Sequence, residues 1–216
     1  KISMKNNFYG ININFNKPNE LLDNIPSKSY ILNQNYLFLN IVEIPNFNNY
    51  NISNELMPIL NQFEHFQIRI KYTSAYFDEM YKQISNLKRI KNIFLEVLIS
   101  NVNKIDTNFQ FYKIIDSIII DSCVSSILSS AFLGLNLLQY VSIPSSIKSI
   151  GYHVFEGCIS LKEVYVPNSI TIIKSHTFHG CTSLFKVFLP STLTGIAEYS
   201  FYNCESLTQI VIPNSV

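Results

Sequence analysis

A fixed period of 23 residues governs the second half of this chain. Phenylalanine recurs at Phe132, Phe155, Phe178 and Phe201, proline at Pro144, Pro167, Pro190 and Pro213, and cysteine at Cys158, Cys181 and Cys204, every interval being 23 residues. Aliphatic columns keep the same phase: Leu138, Leu161, Leu184, Leu207; Val141, Val164, Val187, Ile210; Ile143, Val166, Leu189, Ile212; Ile127, Ile150, Ile173, Ile196; and Ile147, Ile170, Leu193, Val216. A unit this short cannot bury its own apolar face, whereas stacked units share one core. The period therefore predicts a solenoid.

Within each unit, L-x-x-V-x-V-P ends in two-residue alternation, as in a short half-buried strand, and proline stops it. The reading assigns one strand per unit, with neighbouring strands roughly 4.8 Å apart. The G-C-x-S stretch before it, with Gly134, Gly157 and Gly180, reads as a turn.

The frame I-x-x-x-x-F-x-G-C-x-S-L-x-x-V-x-V-P, from Ile118 to Val216, resembles the leucine-rich repeats of the BspA-like type. Departures are Leu135 for the first cysteine, Asn203 for the last glycine and Asp121 where a proline would stand. The resemblance implies an α/β repeat solenoid: a leucine-rich-repeat horseshoe with a parallel concave sheet, helical convex elements in the N-terminal half and short turns in the C-terminal half. It also implies a surface or interaction protein, as such proteins are in bacteria and anaerobic protists.

Before Ile118 the frame loosens: Leu95, Val97, Ile105 and Phe109 nearly keep step, but the earlier part carries longer units. ISNELMPILNQF and SAYFDEMYKQISNL read as helices, with Ser53 and Ser74 as N-cap candidates. YLFLNIVEI (Tyr36 to Ile44), FQIRIKY (Phe66 to Tyr72) and KNIFLEVLI (Lys91 to Ile99) read as strands, and His65 falls in the loop before one. Two organisations follow. Residues 1–90 are longer, irregular repeats continuous with the array over 91–216, or they are a separate α/β cap. The frame stops at IPNSV, as a further unit begins, so the array is expected to continue past Val216 or to self-associate through its C-terminal coil.

Composition removes several function classes. A net charge of +1 offers no footprint for nucleic acid. Apolar runs are broken well before the ~18 residues of a membrane span, so no membrane insertion is expected. The four cysteines include no C-x-x-C, which suits a reducing compartment and tips the reading slightly toward cytoplasm over cell surface. No nucleophile elbow, H-E-x-x-H, P-loop or G-x-G-x-x-G is present, and Asp78, Glu79, Asp106, Asp116 and Asp121 are scattered. Asn51-Ile52-Ser53 is a sequon that so asparagine-rich a chain produces by chance. Neither catalytic residues nor a cofactor are assigned.

The cysteine column is linear, so it cannot supply a tetrahedral metal site, and leucine at position 135 substitutes for packing rather than ligation. Phe132, Phe155, Phe178 and Phe201, with Cys158, Cys181 and Cys204, are read as structural. His153 and His176, in a column continued by Tyr199, and His179 are read as exposed on the convex side, with no carboxylate in phase and no metal.

The residue between the two inward strand positions should point outward: Ile119, Ser142, Tyr165, Phe188 and Val211. With the strand-entry columns Gln139, Lys162, Phe185, Thr208 and Tyr140, Glu163, Lys186, Gln209, they make an aromatic strip bordered by charge. Aromatic exposed surface of this kind marks protein interfaces, although strand propensity alone also enriches tyrosine and phenylalanine. The partner-binding set is Tyr140, Lys162, Glu163, Tyr165, Phe185, Lys186, Phe188, Gln209 and Val211, and the partner is a protein. The alternatives are a cell-surface adhesin, or an enzyme or regulatory domain in the first 90 residues.

Overall fold

The computed structural model describes residues 3–5, 8–14, 36–43, 65–72, 77–90 and 93–216, in two compact units, 1–97 and 98–216. The expected helix ISNELMPILNQF, the sequon and both N-cap candidates lie outside the described residues.

The first unit carries β1 (Ser3–Lys5), β2 (Phe8–Asn14), β3 (Tyr36–Glu43), β4 (His65–Tyr72), α1 (Phe77–Ile90) and β5 (Ile93–Ile99), whose last two residues belong to the second unit. The strands lie in chain order, with β1 antiparallel to β2 and β2, β3 and β4 parallel. The three expected strands and the helix at SAYFDEMYKQISNL are present, and His65 is the first residue of β4 rather than a loop residue. Ile68 and Ile70 of β4 are fully buried, as are Ile84 and Leu87 of α1, so strand period and helix period each present one apolar face. On β5, Glu96 is buried and forms an ion pair with Arg69 of β4.

In the second unit, β7 (Ser117–Ile120), β9 (Tyr140–Ser142), β11 (Glu163–Tyr165) and β13 (Lys186–Phe188) form an open parallel sheet in that order. Register follows the period: Glu163, Val164 and Tyr165 face Lys186, Val187 and Phe188. Val141, Val164 and Val187 are buried while Tyr140, Ser142 and Tyr165 are exposed, the alternation that the sequence shows. β9, β11 and β13 each stop two residues before a proline, whose carbonyl then accepts from the amide three residues on, as from Ile170 to Pro167 at 3.0 Å, closing a turn.

One strand per unit is an undercount. Two-residue strands β6 (Lys104–Ile105), β8 (Ser126–Ile127), β10 (Ser149–Ile150), β12 (Ile172–Ile173) and β14 (Gly195–Ile196) pair in parallel on the opposite side of the coil, as β10-β8-β6 and β12-β14. The last residues of β8, β10, β12 and β14 are the in-phase column Ile127, Ile150, Ile173, Ile196. A two-residue strand is too short to show alternation, which is why its pairing was not readable.

The core is a spine of rings. Phe109, Phe132, Phe155, Phe178 and Phe201 stand at centroid separations of 5.8, 5.4, 5.4 and 5.3 Å, and the first four are buried. After each of the last four rings the chain reverses through a left-handed residue: φ is 62°, 70° and 70° at Gly134, Gly157 and Gly180, and 59° at Asn203. Asparagine is the non-glycine residue best suited to that region, so its substitution at position 203 is conservative. Gly151 is required for a different reason, since a Cβ there would lie 2.3 Å from the Ser129 amide nitrogen.

Two expectations follow for urea unfolding. Phe178→Ala should cost roughly 3 to 5 kcal/mol, because both neighbouring rings lose a stacking partner. Gly151→Ala should cost about 1–3 kcal/mol through overpacking, whereas Gly195→Ala, whose Cβ meets nothing closer than 4.0 Å, should leave the midpoint unchanged.

Candidate functional site

The outward positions of the sheet vary in chemistry from coil to coil, and the aromatic ones cluster. Tyr165 and Phe188, side by side in register, stack at 4.0 Å with 10° between planes. Tyr165 is 54% exposed and Phe185 52%, while Phe188 is half-buried under its neighbours. Two ammonium groups lie on the rings: Lys186 Nζ is 4.5 Å from the Phe188 centroid, and Lys162 Nζ is 5.1 Å from that of Tyr140 and donates to its hydroxyl at 3.3 Å. Such contacts draw the lysine stems over the rings and hold the cations at the surface. Glu163 is half-buried between Tyr140 and Lys186 in the same column.

Gln209 and Val211 belong to a second grouping. The segment around them is in phase with β13 but is not a strand, and a cavity of about 580 Å³ opens between the two. Phe185, Phe188, Ile210 and Val211 are among its lining residues. Val211 is 84% exposed, and Ile210, inward in earlier coils, is only half-buried. The strip expected as one surface is thus a stacked aromatic patch over β9, β11 and β13, bordered by an apolar groove. Ile119 is half-buried, and Ser142 is exposed without an aromatic neighbour in its column before Tyr165.

On the turn side, the histidines are neither fully exposed nor without a carboxylate. Glu156 Oε2 is 2.6 Å from His153 Nδ1, and its Oε1 is 3.0 Å from His179 Nδ1. His176 stacks on His153 at 4.7 Å and meets His179 edge-on at 5.4 Å. The column Leu133, Glu156, His179, Tyr202 runs three residues behind Ser130, His153, His176, Tyr199, so the carboxylate is in phase with His179 and was legible in the 23-residue frame. Imidazoles stacked at 24° hold their lone pairs in nearly parallel planes, which do not converge on one ion. Among the described residues no three metal-competent side chains converge. Partial burial pulls the Glu156 carboxyl upward, but hydrogen bonds from His153 and His179 and their charge outweigh it, leaving the group below its usual value. A depressed carboxyl stabilises the fold above the ordinary carboxylate range, and that contribution is lost as acid titrates the group.

A sequence model described as BspA type leucine rich repeat region matches residues 103–216 in six copies. No curated protein sequence matches the chain. Among solved structures, a leucine rich cell surface protein from Faecalibacterium prausnitzii is 36% identical with a TM-score of 0.51, over 52% of this chain and 30% of that one. A leucine rich repeat protein of T. pallidum is 27% identical with a TM-score of 0.50, over 52% of this chain and 56% of its own. The chain thus spans less than two thirds of either relative.

Within the matched region the thiols form a ladder. Cys158, Cys181 and Cys204 donate to the carbonyls of Phe132, Phe155 and Phe178, one coil back, at 3.2, 3.1 and 3.1 Å. Burial pushes Cys158 up to about 12 and Cys204 up to about 11, and it raises Cys181 as well. A neutral buried thiol is a poor nucleophile. Cys123, outside the column, is exposed. Iodoacetamide on the folded protein at pH 8 should therefore alkylate Cys123 first, with Cys158 and Cys181 reacting only in denaturant; peptide mass spectrometry showing equal labelling of all four would contradict this.

Proposed function

The chain belongs to the BspA type leucine-rich repeat family, and from that membership we propose that it is a non-catalytic scaffold that captures a protein partner on the outer face of its β7-β9-β11-β13 sheet. Proteins built from such repeats are generally interaction or surface proteins, since the stacked units present an extended surface with no need of a catalytic cleft. The observation that carries the reading is the Tyr165–Phe188 stack, with Tyr165 exposed, as Phe185 nearby is, and Lys186 over the half-buried Phe188. Rigid aromatic surface costs little conformational entropy to bury, and aromatic anchors dominate interface hot spots.

Tyr140, Lys162 and Glu163 would contribute a polar rim, and Gln209 and Val211 the far edge beyond the groove. A cell-surface location is the second reading, favoured by the likeness to the leucine rich cell surface protein of Faecalibacterium prausnitzii.

The double substitution Tyr165→Ala/Phe188→Ala should weaken partner capture at least about 100-fold if both rings are hot spots of about 2 kcal/mol or more, with the unfolding midpoint little changed because neither ring is in the core. Quantitative pull-down with the intact chain measures it; equal capture by wild type and variant would refute the assignment of this face.

A further inference from the structure

The turn-side cluster has no part in the sheet-face reading, yet it joins the same two coils. His153 and Glu156 lie on the coil that carries β11, and His176 and His179 on the coil that carries β13. One carboxylate bridges them, its two oxygens taking Nδ1 of His153 and Nδ1 of His179 at 2.6 and 3.0 Å. The third imidazole, His176, packs against both of the others, and its own buried Nδ1 makes no hydrogen bond. His153 and His176 also hold left-handed φ values of 57° and 60°, conformations that a side chain other than glycine or asparagine adopts at a cost.

We propose that His153, Glu156, His176 and His179 form a proton-operated latch on the turn side, closed at neutral pH and opened when the three imidazoles gain more positive charge than one carboxylate neutralises. Neutral imidazoles donate Nδ1–H to the two Glu156 oxygens, which ties coil to coil. Imidazole is the side chain that ordinarily changes charge between about pH 5 and 8. The first protons to arrive strengthen the two bonds to Glu156. A further proton on the cluster places like charges 4.7 to 5.4 Å apart, ring to ring, with no second carboxylate to offset them.

Other ionisable groups around the cluster do not supply that second anion. Tyr199 and Tyr202 cover His176 and His179 with their rings at 5.1 and 5.4 Å. Lys174 directs its ammonium over Tyr152, 5.0 Å from the centroid. Glu198 meets His176 through its backbone carbonyl, which accepts from the His176 amide at 3.3 Å. The Cys181 thiol is neutral, pushed up by burial first and, in smaller part, by Glu156. Among the described residues, only Glu156 forms ion pairs with these imidazoles.

The amides of His153, Gly157, His176 and Gly180, each donating to the carbonyl of the following coil, report the state of the latch. Hydrogen exchange on the whole chain, expressed as protection factors to remove the intrinsic pH dependence, should show them losing protection between pH 7.5 and 5, while the sheet-side amides of Lys162 and Phe185 stay protected. Glu156→Gln should move that loss upward by about one pH unit or more, the size of shift a single charge within ~4–6 Å produces. His176→Asn, which suits the left-handed backbone, should move it downward. Turn-side protection that is flat over this range in wild type, or His176→Asn tracking wild type, would overturn the latch. The wild-type profile and His176→Asn decide the matter even if Glu156→Gln does not fold.

Discussion

The carbonyl of Phe132, Phe155 and Phe178 is the point through which one coil fixes the next. In Phe155 it accepts the Cys158 amide of its own turn at 3.1 Å and the Cys181 thiol of the following coil at 3.1 Å. The amides of the same turn run the other way along the stack: Phe155 donates to Thr177 and Gly157 to His179. On the sheet side the amides point backward instead, Lys162 to Gln139 and Phe185 to Lys162. Each coil is therefore pinned to both neighbours on both of its long sides. A coil shifted by one residue would leave buried donors unpaired on the turn side and turn the strand's apolar residues to solvent at once.

That arrangement accounts for which residues the repeat cannot vary. The ring fills the coil, the left-handed residue after it reverses the chain, and the thiol occupies a buried corner that leucine also fills at position 135. The hydroxyls of Ser146, Ser169 and Ser215 follow the same logic near the proline turn, each donating to a carbonyl one coil back. A hydroxyl in that turn satisfies a carbonyl that the two-residue strands leave over.

Most of this was legible in the chain because a period of 23 residues converts sequence into neighbour lists. Phe132 against Phe155, or Tyr165 against Phe188, could be read as contacts before any coordinates, and the buried alternation of Val141, Val164 and Val187 came with them. What escaped has a common cause. The short strands at Ser149–Ile150 and Ile172–Ile173 carry too few residues for alternation to appear. Glu156 stands in the column of His179 rather than in that of His153 and His176, so the carboxylate is visible in the frame only when His179 is traced back one coil. The opening of a cavity beside β13 depends on how far two in-phase segments separate, which period alone does not specify.

Repetition separates the parts of the sequence that make the fold from those that can make a function. Down the column Val141, Val164, Val187, Ile210 the chemistry hardly changes, because each member packs against the next. One residue earlier, Tyr140, Glu163, Lys186 and Gln209 change at every coil, since an outward side chain on a parallel sheet faces solvent on one side and only its neighbours on the other. A surface so built presents independent side chains at steps of roughly 4.8 Å, each replaceable without disturbing the spine beneath. The columns that break the repeat are the ones the spine leaves free to vary, and the aromatic pair at Tyr165 and Phe188 and the carboxylate at Glu156 are such breaks on the two sides of the same two coils.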